Sequence, residues 1–162
     1  MVSIARKSVR RLLGYAVRAE IDSNRSYARL ASRAKNPLLR EKFLVLAFEE
    51  KKHKEVLTKL FESLYQGEKI EVPDAVDEKL LPVVHLRPSS SLADILYQAM
   101  EAERSAQDFY LRLAKRVRPP KRKILEYLSK VEKSHYFMLR SEYAMAQQFE
   151  DYGERDIDKV VT

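Results

Sequence analysis

Cysteine is absent from all 162 residues. That absence excludes disulfides, thiolate-bound zinc, a thiol nucleophile and a rubredoxin-type iron centre, which needs a set of thiolates. Glycine is scarce, at three residues. The β-branched clusters expected of successive strands are missing, while Leu, Ala, Glu, Lys and Arg dominate. The composition therefore predicts an all-α chain. No apolar run approaches the roughly 20 residues needed to cross a bilayer, and the N-terminus lacks the apolar stretch of a secretory signal. A soluble, cytoplasmic protein with no membrane partner is the expectation.

Acidic side chains are missing from the first 19 residues, which carry Arg6, Lys7, Arg10, Arg11 and Arg18. Such a stretch resembles a transit peptide in composition. The apolar periodicity through Leu13 and Val17, however, runs unbroken into Glu20, so these cations are read as the outer face of a real helix. The net charge is +7, but the basic residues are scattered and no nucleic-acid-binding motif accompanies them, so nucleic acid is not an expected partner. A chain of this length with 45% hydrophobic residues can bury one core. One domain over residues 1–162 is expected.

Helix punctuation divides that domain. A first helix opens near Ser8 and runs to Lys35, where Asn36-Pro37 ends it and caps the next, with proline at the first helical position. The second runs to about Gln66, before Gly67, completing a hairpin over 8–66. Residues 67–91 hold Pro73, Pro82 and Pro88, show little periodicity and end in Ser89-Ser90-Ser91; they read as a long crossover. A second hairpin covers 92–152, with one helix from Leu92 to about Val117, a turn at Pro119-Pro120, and another helix to about Tyr152. Residues 153–162 read as a tail. The fold class predicted is an antiparallel four-helix bundle with its long crossover between helices 2 and 3.

What the chain does contain is a repeat. Ala19-Glu20 followed by Tyr27 recurs as Ala102-Glu103 followed by Tyr110, and Glu50-Lys51-Lys52-His53 recurs as Glu132-Lys133-Ser134-His135, at offsets of 83 and 82 residues. On the inward stripes, spaced alternately by three and four, these ionisable groups stand where leucines would otherwise go. Helix rise, about 1.5 Å per residue, puts Glu20 and Glu50 each roughly 20 Å from their hairpin turn, and Glu103 and Glu132 at about 22 and 18 Å from theirs. A crossover of roughly 25 residues can reach about 80 Å, enough to bring both layers level.

Buried without cations, four carboxylates would cost several kcal/mol each in lost hydration, on the order of magnitude known for buried ions. Four carboxylates with two imidazoles instead form a hard, oxygen-rich site for two divalent metal ions, favouring iron, with manganese as the alternative. The i, i+3 spacing of each ExxH sets Glu and His on neighbouring turns, so Glu50 and Glu132 can bridge both ions while His53 and His135 each bind one. Glu20 and Glu103 are then terminal ligands. Asn24 and Gln107 occupy equivalent positions four residues after Glu20 and Glu103, where an amide could orient a ligand. His85 lacks a partner at ligand spacing. Glu49, Glu55, Glu62, Glu101 and Glu142 read as solvated faces or the bundle rim, and Tyr136 and Tyr143 as packing residues or electron carriers.

These motifs resemble the ferritin-like di-metal carboxylate superfamily over helices 1 to 4, and Ala-Glu-x6-Tyr with Phe-Glu-Glu-Lys-Lys-His is most similar to the rubrerythrin family. The resemblance implies a di-iron site at Glu20, Glu50, His53, Glu103, Glu132 and His135 that reacts with peroxide or dioxygen. It also implies that Tyr27 and Tyr110 hydrogen-bond ligand carboxylates, where packing alone would otherwise explain them. Two departures stand out. Rubrerythrins carry an extra Glu three residues after the third-helix ligand, where this chain has Ala106, and the rubredoxin domain is absent, so electrons must come from a separate donor or from Fe(II) itself. Bacterioferritin binds haem through a Met at the position held here by Lys51, so haem is not expected. The function expected is an oxidoreductase that reduces peroxide or dioxygen while oxidising Fe(II). Iron binding or storage without enzymatic turnover is the alternative, and a structural bundle with a vestigial site is a third. A homodimer is expected, with Ile21, Leu30 and Phe48 as candidate contacts.

Overall fold

The structure is a computed structural model that describes Ile4 and residues 7–152. It contains helices α1 (Val9–Arg33), α2 (Pro37–Leu64), α3 (Leu92–Ala114) and α4 (Arg122–Tyr152), with no strand among the described residues. The segment from 153 onward lies outside the described residues. No described helix is long and apolar enough to cross a membrane.

Three of the helix starts, those of α1, α2 and α3, are fixed by a side chain. Ser8 accepts from the Arg11 amide, and Asn36 accepts from the amides of Leu38 and Leu39 with Pro37 in the first turn. Ser91 and Asp94 form a reciprocal capping box. These contacts satisfy amide donors that have no partner within their helix. Three helix ends fall short of the expected positions, α2 ending at Leu64 rather than near Gln66. The α1 helix stops at Arg33 because Ala34 is already extended and precedes the Asn36-Pro37 cap, and α3 stops at Ala114, where Arg116 and Val117 close tighter turns onto Leu113 and Ala114. Val117 nevertheless remains buried in the core.

Two apolar clusters define the topology. One joins Tyr27–Ala34 of α1, Leu39–Ala47 of α2, Leu92–Met100 of α3, and Leu139 and Ala146 of α4. The other joins Leu12–Val17, Leu57–Phe61, Phe109–Val117, and Leu125 and Leu128. The late half of α1 therefore meets the early halves of α2 and α3 and the late half of α4. That is possible only if α1 and α4 run one way and α2 and α3 the other, which makes an antiparallel four-helix bundle.

The connection over residues 65–91 travels the length of the bundle to permit this. Ile70, Val76, Leu80 and Leu81 pack on the second cluster, and Val84 and Leu86 on the first. Leu80 and Leu81 are buried, so the crossover strap adds side chains of its own to the core. The strap is pressed onto α1 at Gly14, where a Cβ would lie 2.1 Å from the Glu71 carbonyl oxygen. Glycine is required there by space. Gly67, with φ +76°, begins the strap in the left-handed region that glycine enters without steric cost.

Of the surface residues expected to be free, Phe48 is 61% exposed, whereas Leu30 is buried and Ile21 is half-buried against the second cluster. Leu30 lies close enough in phase to Tyr27 and Ala31 to join the core stripe.

Candidate metal centre

Between the two apolar clusters lies a layer of charge. Glu20 from α1, Glu50 and His53 from α2, Glu103 from α3, and Glu132 and His135 from α4 are all at least 95% buried. Each helix delivers them from the middle of its apolar stripe, so packing of the clusters above and below forces them together. All six sequence candidates meet at this one level.

Their donor atoms form two overlapping groups. Glu20, Glu50, His53 and Glu132 bring one atom each within 4.8 Å of one another, and Glu50, Glu103, Glu132 and His135 do the same. His53 Nδ1 lies 2.9 Å from Glu132 Oε1, 3.3 Å from Glu50 Oε2 and 3.6 Å from Glu20 Oε2. His135 Nδ1 lies 3.2 Å from Glu132 Oε2, 3.3 Å from Glu50 Oε1 and 3.4 Å from Glu103 Oε2. The imidazoles stack with centroids 5.6 Å apart. Glu50 and Glu132 are common to both groups and present a different oxygen to each histidine.

Close approach here is not hydrogen bonding. Glu50 Oε1, both Glu132 oxygens and the Nδ1 atoms of His53 and His135 are buried and have no hydrogen-bond partner. Orphaned polar atoms at this density are costly unless something else satisfies them. Hard oxygen and imidazole donors converging from four helices fit divalent cations of the iron and manganese type. The residues present therefore fit a two-metal centre.

The outer oxygens are held separately. Tyr27 donates its hydroxyl to Glu103 Oε1, and Tyr110 donates to Glu20 Oε1. Each tyrosine reaches from its own hairpin to the carboxylate of the other, which ties the two repeats together at the site. The Asn24 amide behaves differently from the expectation. Asn24 donates to the Ala47 backbone carbonyl at 2.6 Å and touches no candidate ligand, and the Gln107 backbone carbonyl accepts from Ser129 Oγ at 3.1 Å. Positions 47 and 129 are themselves repeat equivalents, so these bonds are matching rivets between helices of a hairpin with donor and acceptor exchanged. A short polar side chain facing its hairpin partner finds a backbone carbonyl before it reaches the centre.

Glu49, expected on a solvated face or the bundle rim, makes a contact that this reading did not include. Its side chain is 42% exposed, yet its Oε2 lies 2.5 Å from His135 Nε2. Phasing on α2 could not reveal this contact, because it crosses to α4, and the repeat could not either, because the equivalent position is Val131. His85 pairs with Glu78 on the exposed crossover, away from the ligand groups.

Proton affinities follow from the crowding. Burial, then the charge of Glu50, pushes Glu20 up to about 8, and burial with Glu50 and Glu132 pushes Glu103 well above the ordinary carboxyl range. Burial alone would depress both histidines, but their carboxylate neighbours outweigh it and hold them protonated far above the usual imidazole range. Burial and the charge of Glu132 oppose ionisation of Glu50, but contacts with Glu20 and then the two histidines hold it low; burial and Glu20 oppose that of Glu132, which the histidines hold low. Without metal, these directions favour protons on Glu20, Glu103, His53 and His135 and ionised Glu50 and Glu132.

The rubrerythrin family model matches residues 11–143. The chain belongs to the rubrerythrin family. No curated protein matches it. Among solved structures it is similar to a hypothetical protein from Pyrococcus furiosus, with 34% identity, TM-score 0.80, and coverage of 91% of this chain and 95% of that one. It is also similar to a protein from Thermotoga maritima proposed to be a ferritin-like diiron-carboxylate protein, with 22% identity, TM-score 0.70, and coverage of 85% and 95%. Within the rubrerythrin framework, Ala106 is half-buried against the second apolar cluster. Hydrocarbon therefore occupies the position from which a seventh carboxylate would come.

Proposed function

We propose that this rubrerythrin-family protein is a di-iron oxidoreductase that reduces peroxide or dioxygen. The carrying observation is the pair of four-residue donor groups that share Glu50 and Glu132. In this reading Glu20 and His53 complete one metal position, and Glu103 and His135 complete the other. Iron ions held by these residues would supply the oxidant with one electron each. Iron is preferred to manganese as the resident metal on the oxygen-and-imidazole donor set together with the redox reaction assigned.

The chain's own residues supply the setting for that chemistry. Glu50 and Glu132 balance charge between the two positions, with an oxygen offered to each. The hydroxyls of Tyr27 and Tyr110 hold Glu103 and Glu20 in place while leaving each carboxylate a second oxygen free to move. The apolar clusters on either side keep bulk water from the layer, which strengthens every charge interaction within it. Six protein donors for two ions leave coordination positions for the oxidant. In this reading the electrons for further turnovers come from a separate donor or from Fe(II) itself.

The test is rapid mixing of anaerobically Fe(II)-loaded protein with hydrogen peroxide or with dioxygen, followed by absorbance. Oxidation much faster than that of free Fe(II) in the same buffer, repeating on addition of reductant, supports the proposal. A rate no faster than free Fe(II) rejects it.

A further inference from the structure

The two halves of the centre match in their ligands but differ behind the histidines. On α4, the His135 ring is held at both edges: Nδ1 faces Glu50, Glu103 and Glu132, while Nε2 meets Glu49 Oε2 at 2.5 Å. An ionised carboxylate can only accept, so this contact keeps a proton on Nε2 and leaves the Nδ1 lone pair for a metal ion. On α2, His53 presents Nδ1 to its three carboxylates in the same way, but its Nε2 has no hydrogen-bond partner among the described residues. The repeat equivalent of Glu49 is Val131, which has no atom able to accept. One imidazole is therefore oriented by a carboxylate behind it, and the other has no such partner among the described residues.

We propose that Glu49 is a positioning residue that makes the two metal positions unequal, so that the position built from Glu50, Glu103, Glu132 and His135 binds its ion more tightly and fills first. The inference rests on the two-metal reading of the centre. Its physical basis is that a carboxylate behind a ligating imidazole fixes the ring's tautomer and rotation and raises its basicity. Loss of such a partner commonly weakens metal binding about 10- to 100-fold. Because Glu49 is substantially exposed and outside both apolar clusters, its truncation removes the contact without emptying the core.

The experiment is a calorimetric titration of the full, chelator-stripped chain with Co(II), paired with proton NMR of the Co(II)-shifted imidazole N–H signals. The unmodified chain is expected to bind two Co(II) in two resolved steps. At one equivalent, a single shifted N–H resonance protected from exchange should appear, that of His135. Glu49→Ala should weaken the tighter step by about 10- to 100-fold, leave the weaker step within a few-fold, and remove the protected resonance. Glu49→Asp, which keeps a carboxylate, should recover part of the loss. Two equal steps in the unmodified chain, or steps unchanged in Glu49→Ala, would overturn the role of Glu49 and leave the two-metal reading standing. Failure of the unmodified chain to bind Co(II) would overturn both.

Discussion

Glu50 and Glu132 each stand in two donor groups, whereas Glu20 and Glu103 stand in one. Removal of a shared ligand should therefore do more damage than removal of a terminal one. Glu132→Ala is expected to retain no tightly bound iron after desalting, and Glu20→Ala to retain about one ion per chain, as read by elemental analysis. Proton affinities add a second prediction. Glu20, Glu103, His53 and His135 all have folded-state values raised above their ordinary ones. Between about pH 5 and 8 the metal-free folded chain thus holds protons that the unfolded chain has released, and its stability falls as pH rises. Glu50 and Glu132 are lowered, so their contribution is lost only in acid. Metal ions displace the four protons, so their binding tightens over the same range. Urea midpoints at pH 5.5 and pH 8, with chelator and with saturating metal, should move in opposite directions. A metal-free protein more stable at pH 8 would contradict this. The six candidate ligands were legible in the sequence because a duplication at nearly constant offset marks them. Glu49 was not, since its partner lies on another helix and its repeat position holds valine.

Helix starts were readable because their caps are local chemistry: Ser8, Asn36 and Ser91 each bond amides within a few residues. The path of the crossover was not, because it depends on a long-range fit that no local pattern encodes. Gly14 carries that fit, with the Glu71 carbonyl occupying the space a Cβ would need. Gly14→Ala tests the point, since inside an exposed helix alanine would be better than glycine by about 1 kcal/mol. Here the obstacle is backbone, so overpacking should win, with a net loss of about 1–3 kcal/mol in chemical denaturation. Proteolysis within residues 67–91 should also become faster. A stabilised Gly14→Ala variant would show that the strap yields freely.

Across the whole molecule, the charged layer is held between two hydrocarbon clusters that bring all four helices together. The antiparallel arrangement was foreseeable from crossover length and the matched heights of the carboxylates. Outer surfaces were not: Leu30, read as a contact residue, lies in the core at 1% exposure. Since the layer belongs to all four helices, metal occupancy and global stability are linked. Metal at 100 times its dissociation constant should stabilise the fold by about 2.7 kcal/mol per independent site. Chelation of the loaded protein should accordingly lower its melting temperature in one cooperative transition, and an unchanged melting temperature would separate the metal from the fold. The most direct measurement is anomalous diffraction at the iron edge from crystals of the Fe(II)-loaded protein. Two iron peaks are predicted, both flanked by Glu50 and Glu132, one against His53 and the other against His135. A centre without iron, or with a single ion equidistant from both histidines, would contradict the account.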